Sequence, residues 1–199
     1  MNVPVKSSSM GWRGHLGKIA PAPAAGRVIR EFYEVVPEGI DITVASLMVQ
    51  KVAKKDMDDM MTQVHRAAEV LAEKGVDAIW VGGVPPIVMK PAGYDLELVK
   101  ELEKASGVPV STDVTGVMDA FREMGMTRLV MATPFEEWVN DLIRKYYKPA
   151  GFDIVHMRGI PLVHGSERRS LPPQVEYTFA RQVFNECEEK VDEIGRAHV

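Results

Sequence analysis

A chain of 199 residues, 46% hydrophobic and 26% charged, has the composition of a soluble globular protein with room for one sizeable core or two small lobes. A formal net charge of −4 gives no polybasic footprint for nucleic acid, and no apolar run approaches the roughly 18 residues of a membrane span. The single cysteine, Cys187, excludes an internal disulfide framework and any cysteine-based zinc site, so the reading is a cytoplasmic protein without nucleic-acid or membrane partners.

Residues 1 to 13 carry Ser7-Ser8-Ser9 and read as a loose arm. Residues 16 to 20 give a short strand that runs into the small-residue loop Pro21-Ala22-Pro23-Ala24-Ala25-Gly26. A helix is predicted over 27 to 36, stopped by Pro37 and Gly39, and a second strand over 40 to 49. Met57, Met60, Met61, Val64, Ala67, Ala68 and Leu71 then recur at helical spacing, and Gly75 supplies the stop. His65, beside that stripe, reads as a solvated histidine.

The run Ala78-Ile79-Trp80-Val81 suits a strand buried on both faces, and Gly82-Gly83-Val84-Pro85-Pro86 follows it. Two glycines let a ligand approach the main chain, and the prolines have no N–H, so any anion held there must use the amides of Gly82, Gly83 and Val84. The other reading of this corner is a stiff turn. Asp95 is placed as the cap of a helix that ends at Gly107, and residues 108 to 112 form a strand with polar residues at its end. A helix carrying Val117, Ala120, Phe121 and Met124, then a buried strand over 127 to 132, lead to Thr133-Pro134-Phe135-Glu136. That tetrapeptide reads as a helix start with a Thr cap, Pro in the first position and a closing Glu. The helix buries Val139, Leu142, Ile143 and Tyr146. A strand over 152 to 156 and a last helix opened by Pro172 and Pro173, with Val175, Phe179, Val183 and Cys187 inward, complete the pattern.

Strand and helix alternate throughout, which predicts the α/β class with parallel sheets. Ligands in such sheets bind outside the carboxyl ends of the strands, where the loops at 21 to 26, 82 to 86 and 133 to 135 converge. Neither Gly-x-Gly-x-x-Gly nor Gly-x-x-x-x-Gly-Lys-Ser/Thr is present, so the usual dinucleotide and triphosphate cradles are missing. The acidic run Asp56, Asp58 and Asp59 suits a helix N-terminus better than a metal. Cys187 reads as a small core residue, and His164, Ser166, Glu167, Arg168 and Arg169 as a solvated loop.

Three stretches carry a resemblance: residues 11 to 21 (Gly-Trp-Arg-Gly-His-Leu-Gly-Lys-Ile-Ala-Pro), 75 to 79 (Gly-Val-Asp-Ala-Ile) and 129 to 135 (Leu-Val-Met-Ala-Thr-Pro-Phe). Together they resemble the aspartate/glutamate racemase superfamily, in the branch of arylmalonate decarboxylase and maleate cis-trans isomerase, over residues 11 to about 192. The resemblance implies two Rossmann-like lobes, 14 to 114 and 115 to 192, around a cleft, and neither cofactor nor metal. It implies a small carboxylate substrate, handled through a carbanion or enediolate, and leaves a homo-oligomer open. The substrate-binding set it points to is Pro21, Ala22, Pro23, Gly82, Gly83, Val84, Thr112, Thr133, Pro134, Phe135 and Asn140.

Departures from the family narrow the chemistry. Its isomerases and racemases use one cysteine from each lobe, and Gly82 stands in the first position, as in arylmalonate decarboxylase. Gly83 and Val84 stand where that enzyme has Thr and Ser, and Phe135 where it has Tyr. Backbone amides, Thr133 and either Ser111 or Thr112 are left to bind an anion, and one-sided protonation is favoured over two-base racemisation. The alternatives are an isomerase or racemase with a substitute base, and a binding protein without chemistry. The second cysteine is expected after a strand that begins at Val191-Asp192. Residues 193 to 199 instead read as the translation of a short-read sequencing adapter, so a non-native tail is expected there, on an unfinished second lobe that is inactive and marginally stable.

Overall fold

The computed structural model describes residues 11–21, 26–49, 53–160, 162 and 171–196. One sheet takes β1 (Gly14–Ala20), β2 (Ile40–Ser46), β3 (Ala78–Val81) and β4 (Val110–Thr112) in the order β2-β1-β3-β4. A second takes β5 (Arg128–Thr133), β6 (Asp153–Gly159) and β7 (Glu193–Arg196) in the order β6-β5-β7. Between them run α1 (Gly26–Val35), α2 (Lys54–Glu73), α3 (Val84–Val88), α4 (Tyr94–Ser106), α5 (Asp113–Glu123), α6 (Glu137–Tyr147) and α7 (Pro173–Glu186). Every strand pair is parallel, which makes the fold an α/β class of two lobes.

The stripe on α2 works as its spacing requires. Met57, Met60, Val64, Ala67, Ala68 and Leu71 are buried, and Gly75 turns the chain at φ 74°. Beneath them Gly17 lets the helix close on the sheet, since a Cβ there would lie 3.1 Å from both Leu71 Cδ1 and Val76 Cγ2. The apolar core does not stop at the lobe boundary. It runs from Ile19 and Val64 through Ile87, Leu98 and Leu102 to Met131, Ile143 and Tyr147. A smaller cluster of Val130, Ala132 and Val183 lies between β5 and α7. No described helix is long and apolar enough to cross a membrane.

The structure corrects four local readings. Pro85 and Pro86 lie inside the short helix α3, where the first turn needs no N–H from them. Gly93, at φ 90°, holds the cap position of α4, and Asp95 lies inside the helix with its carboxyl turned into the core. β5 continues through Thr133, so α6 starts at Glu137 with Glu136 as its cap, three residues later than the Thr-Pro signature suggests. Val175 is 43% exposed, because only the later turns of α7 reach β5 and β6.

Residues 193–196, which the sequence reading assigns to a tail, enter the second sheet alongside 129–132 of β5. The entry is anchored by Asp192, which accepts hydrogen bonds from the N–H groups of Thr127 (3.0 Å) and Arg128 (2.9 Å). Those two amides, and then the Arg128 charge, hold its carboxyl below the ordinary aspartate range. A carboxyl depressed in the fold stabilises above its unfolded pKa, and the benefit is lost as pH falls through the folded value. Taking the protein from about pH 6 to about pH 3 is therefore expected to lower its Tm more than that of Asp192→Asn, measured by circular dichroism. Parallel acid profiles would remove this role.

Candidate functional site

The strand order reverses twice, and each reversal marks a place where loops part and leave a crevice. In the first sheet the switch lies between β1 and β3, where Ala20-Pro21 and Gly82-Gly83 leave the strand ends. In the second it lies between β5 and β7, at Thr133. Ala22 and Pro23 of the expected set lie outside the described residues.

At the first switch, Gly82 to Pro86 are buried. The expectation that Gly82 and Gly83 offer free amides is corrected, because both already have acceptors within the chain. Gly82 N–H donates to the carbonyl of Ile19 at 2.8 Å, as the last rung of the β1–β3 ladder. Gly83 N–H donates to Oδ2 of Asp113 at 2.6 Å. Asp113, at the start of α5, also receives the indole Nε1–H of Trp80 on Oδ1, at 2.5 Å. Gly83 needs to be glycine on two counts: its φ is 104°, and a Cβ would stand 3.0 Å from Pro21 Cγ.

Sequence reasoning passed over the charged member of this corner. Lys18 pairs in register with Trp80 across β1 and β3, and its Nζ lies 3.5 Å from the centre of the indole ring. Only 8% of the residue is exposed. Burial pushes the amine below its ordinary pKa, and the Asp113 charge works the other way. The available signal was a lysine set in the apolar strand Leu16-Gly17-Lys18-Ile19-Ala20, where solvent does not account for it.

Thr112 is 1% exposed and its hydroxyl is used within the fold. Its oxygen accepts from Thr115 N–H at 3.0 Å as the cap of α5, and it lies 2.8 Å from Thr115 Oγ1. Thr115 in turn donates to Oδ2 of Asp95 at 2.8 Å, so its hydrogen is committed and Thr112 donates between the two hydroxyls. Tyr146 of α6 donates to Oδ1 of the same carboxyl at 2.6 Å. Burial first, and then that bond, raise the Tyr146 hydroxyl far above its ordinary pKa. A chain of hydroxyls and one carboxyl thus ties the end of β4 to the second lobe.

At the second switch, Thr133 donates to Asn140 Oδ1 at 2.6 Å and accepts from Phe135 N–H at 3.3 Å. Asn140 is fully buried, and its amide donates to Glu137, which also holds Arg144. Phe135 is 2% exposed, and the carbonyl of Pro134 accepts from Leu162 N–H at 3.3 Å. The structure therefore groups the expected residues into two sets. Pro21, Gly82, Gly83 and Val84 join Lys18, Trp80 and Asp113, while Thr133, Pro134, Phe135 and Asn140 shape the loop into α6. The lobes meet nearby, where α3 packs on α6. A shallow hollow on the outer side of α7, lined by Tyr177, Arg181 and Glu186, belongs to neither set.

Comparison with known proteins gives a consistent result. Residues 16–192 match the family model of arylmalonate decarboxylase. The arylmalonate decarboxylase of Bordetella bronchiseptica is 24% identical over 131 residues, a region covering 66% of this chain and 54% of that protein, so the match spans about half the relative's length. Among solved structures, the maleate isomerase Iso from Pseudomonas putida S16 superposes with a TM-score of 0.83 at 18% identity, over 94% of this chain and 79% of that one. Unliganded arylmalonate decarboxylase gives 0.72 at 19% identity, over 92% and 76%. A maleate cis-trans isomerase from Nocardia farcinica gives 0.81 at 14% identity, over 91% and 76%. At these identities the superpositions speak for the fold, and the family match runs through both switch points from β1 to Asp192. The chain belongs to the arylmalonate decarboxylase family.

Proposed function

We propose that this chain is, or is part of, a cytoplasmic, cofactor-independent enzyme that removes a carboxyl group from a small malonate-type acid through an enediolate. In the proposed step the bond from the α-carbon to one carboxylate breaks, carbon dioxide leaves, and the electron pair spreads onto the remaining carboxylate. A single acid, itself reprotonated by water, then gives a proton to the α-carbon from one face and forms the new C–H bond. The observation that carries this reading is Gly82, which brings no side chain to the β1–β3 switch point in a chain of this family. With no acid or base projecting from the end of β3, protonation from a single side is favoured over exchange between two bases. The likeness to maleate isomerases supplies the competing reading.

Incubation of the full-length protein with α-methyl-α-phenylmalonate separates the two. The expected product is 2-phenylpropionate in large excess of one enantiomer, followed by chiral chromatography, with no conversion of maleate to fumarate. Fumarate formation without decarboxylation would replace this reading with the isomerase one. A racemic decarboxylation product would exclude one-sided protonation.

A further inference from the structure

The side chain of Lys18 lies along the sheet face toward the first switch point. Its Cε is 3.5 Å from where a Cβ on Gly82 would stand, and its Nζ is over the ring of Trp80. An ammonium carries three donors and no acceptor, and taking it out of water costs free energy unless those donors are met. Among the described residues Nζ has no hydrogen-bond acceptor. The residue is only 8% exposed, yet the side-chain nitrogen buried without a partner is His156 Nε2, so the ammonium keeps contact with solvent and stays open to an anion. Asp113, the carboxylate that faces Lys18, directs its two oxygens to Trp80 Nε1–H and Gly83 N–H, and acts on the amine through its charge. The indole face offers a cation an attractive surface but no lone pair. What remains at the strand ends is a largely buried cation with no acceptor among the described residues, beside a glycine corner whose own amides are occupied.

We propose that Lys18 is the cationic seat for one carboxylate of a small dicarboxylate, bound beside Gly82 at the β1–β3 switch point. This rests on the reading that the site takes carboxylic acids, and it names the residue that receives one. It replaces the twin-glycine amides as the anion's partner. Asp113 serves the seat as a positioning residue, holding Trp80 and Gly83 around the amine.

The test uses malonate as the probe and malonamide as the uncharged control. In wild type, malonate is expected to raise the Tm saturably and to move the Lys18 Nζ signal in ¹H–¹⁵N spectra of the lysine ammonium groups, while malonamide does neither. Lys18→Met removes the charge and keeps the length of the chain, and Asp113 retains the Trp80 and Gly83 donors, so the variant folds. Its malonate affinity, measured by calorimetry, is expected to fall by at least about tenfold. Equal Tm shifts in wild type and Lys18→Met, or a Lys18 Nζ signal that malonate never moves, would overturn the proposal. Failure here is separable from failure of the decarboxylase reading. Malonate bound through Lys18 with no turnover removes only the reaction, and full kcat/KM in Lys18→Met removes only the seat.

Discussion

Asp95→Ala is expected to cost about 3 kcal/mol or more of stability, among the larger losses available to a single substitution in this chain. Asp95 is 1% exposed, and its carboxyl is the acceptor for two hydroxyls that have no route to water, those of Tyr146 and Thr115. Tyr146 is itself 3% exposed and also accepts the Asp95 N–H at 2.9 Å, so the tyrosine and the helix backbone are locked reciprocally. Truncation to Ala strands both hydroxyls in the core, and each stranded donor costs about 1–3 kcal/mol. For a chain of this size the loss corresponds to a fall in Tm of roughly 10 °C. Asp95→Asn is expected to lose about half as much, since its amide oxygen still accepts from Tyr146 and its NH₂ meets a hydroxyl able to accept. Urea unfolding at constant m-value reads both variants. An Asp95→Ala midpoint within about 1 kcal/mol of wild type would show that the network contributes little.

The network also explains why this part of the fold was hidden in the sequence. An aspartate one residue inside a helix start reads as a cap or a partner of the helix dipole, because local sequence carries no sign of a tyrosine 51 residues away. The same limit hid Lys18, whose partner Trp80 is adjacent only once β1 and β3 pair. Features set by local periodicity were legible: the stripe on α2, the alternation that gives parallel sheets, and the strand at β3, although Ile79 and Val81 are buried there while Ala78 and Trp80 are only half-buried. Features set by competition between local signals were not. Thr133-Pro134-Phe135-Glu136 has the chemistry of a helix start, but Ile160 N–H reaches the carbonyl of Thr133 at 2.8 Å and keeps that residue in the strand. The twin glycines were read as a surface for a ligand, and folding uses their amides first, because a buried N–H takes the nearest acceptor. The corner's place at the end of β3 was legible, while the group that has no acceptor among the described residues is a side chain, Lys18.

Gly159→Ala is expected to destabilise by about 3 kcal/mol or more, for a reason that is purely spatial. A Cβ at Gly159 would fall 1.9 Å from the carbonyl oxygen of Phe135, 3.1 Å from its carbon, and 3.0 Å from Asn140 Nδ2. Backbone atoms cannot rotate aside as the end of a lysine can, so the loop from β5 into α6 must move as a unit. That loop is held by the Ile160 bond to Thr133 and by the bonds joining Thr133 to Phe135 and Asn140, so displacement breaks several contacts together. Gly116, inside α5, provides the contrast. Its nearest neighbour to a Cβ is Ser111 Oγ at 3.5 Å, an ordinary contact, and replacing a helical glycine with alanine gains about 0.5–1 kcal/mol. The same substitution at two glycines is thus expected to act with opposite signs, and paired urea melts decide it. Gly159→Ala within about 1 kcal/mol of wild type would mean that the β5–α6 loop yields without resistance. Thr133 and Phe135 stand at the end of β5 beside the second switch point, so the shift forced by Gly159→Ala displaces both of them.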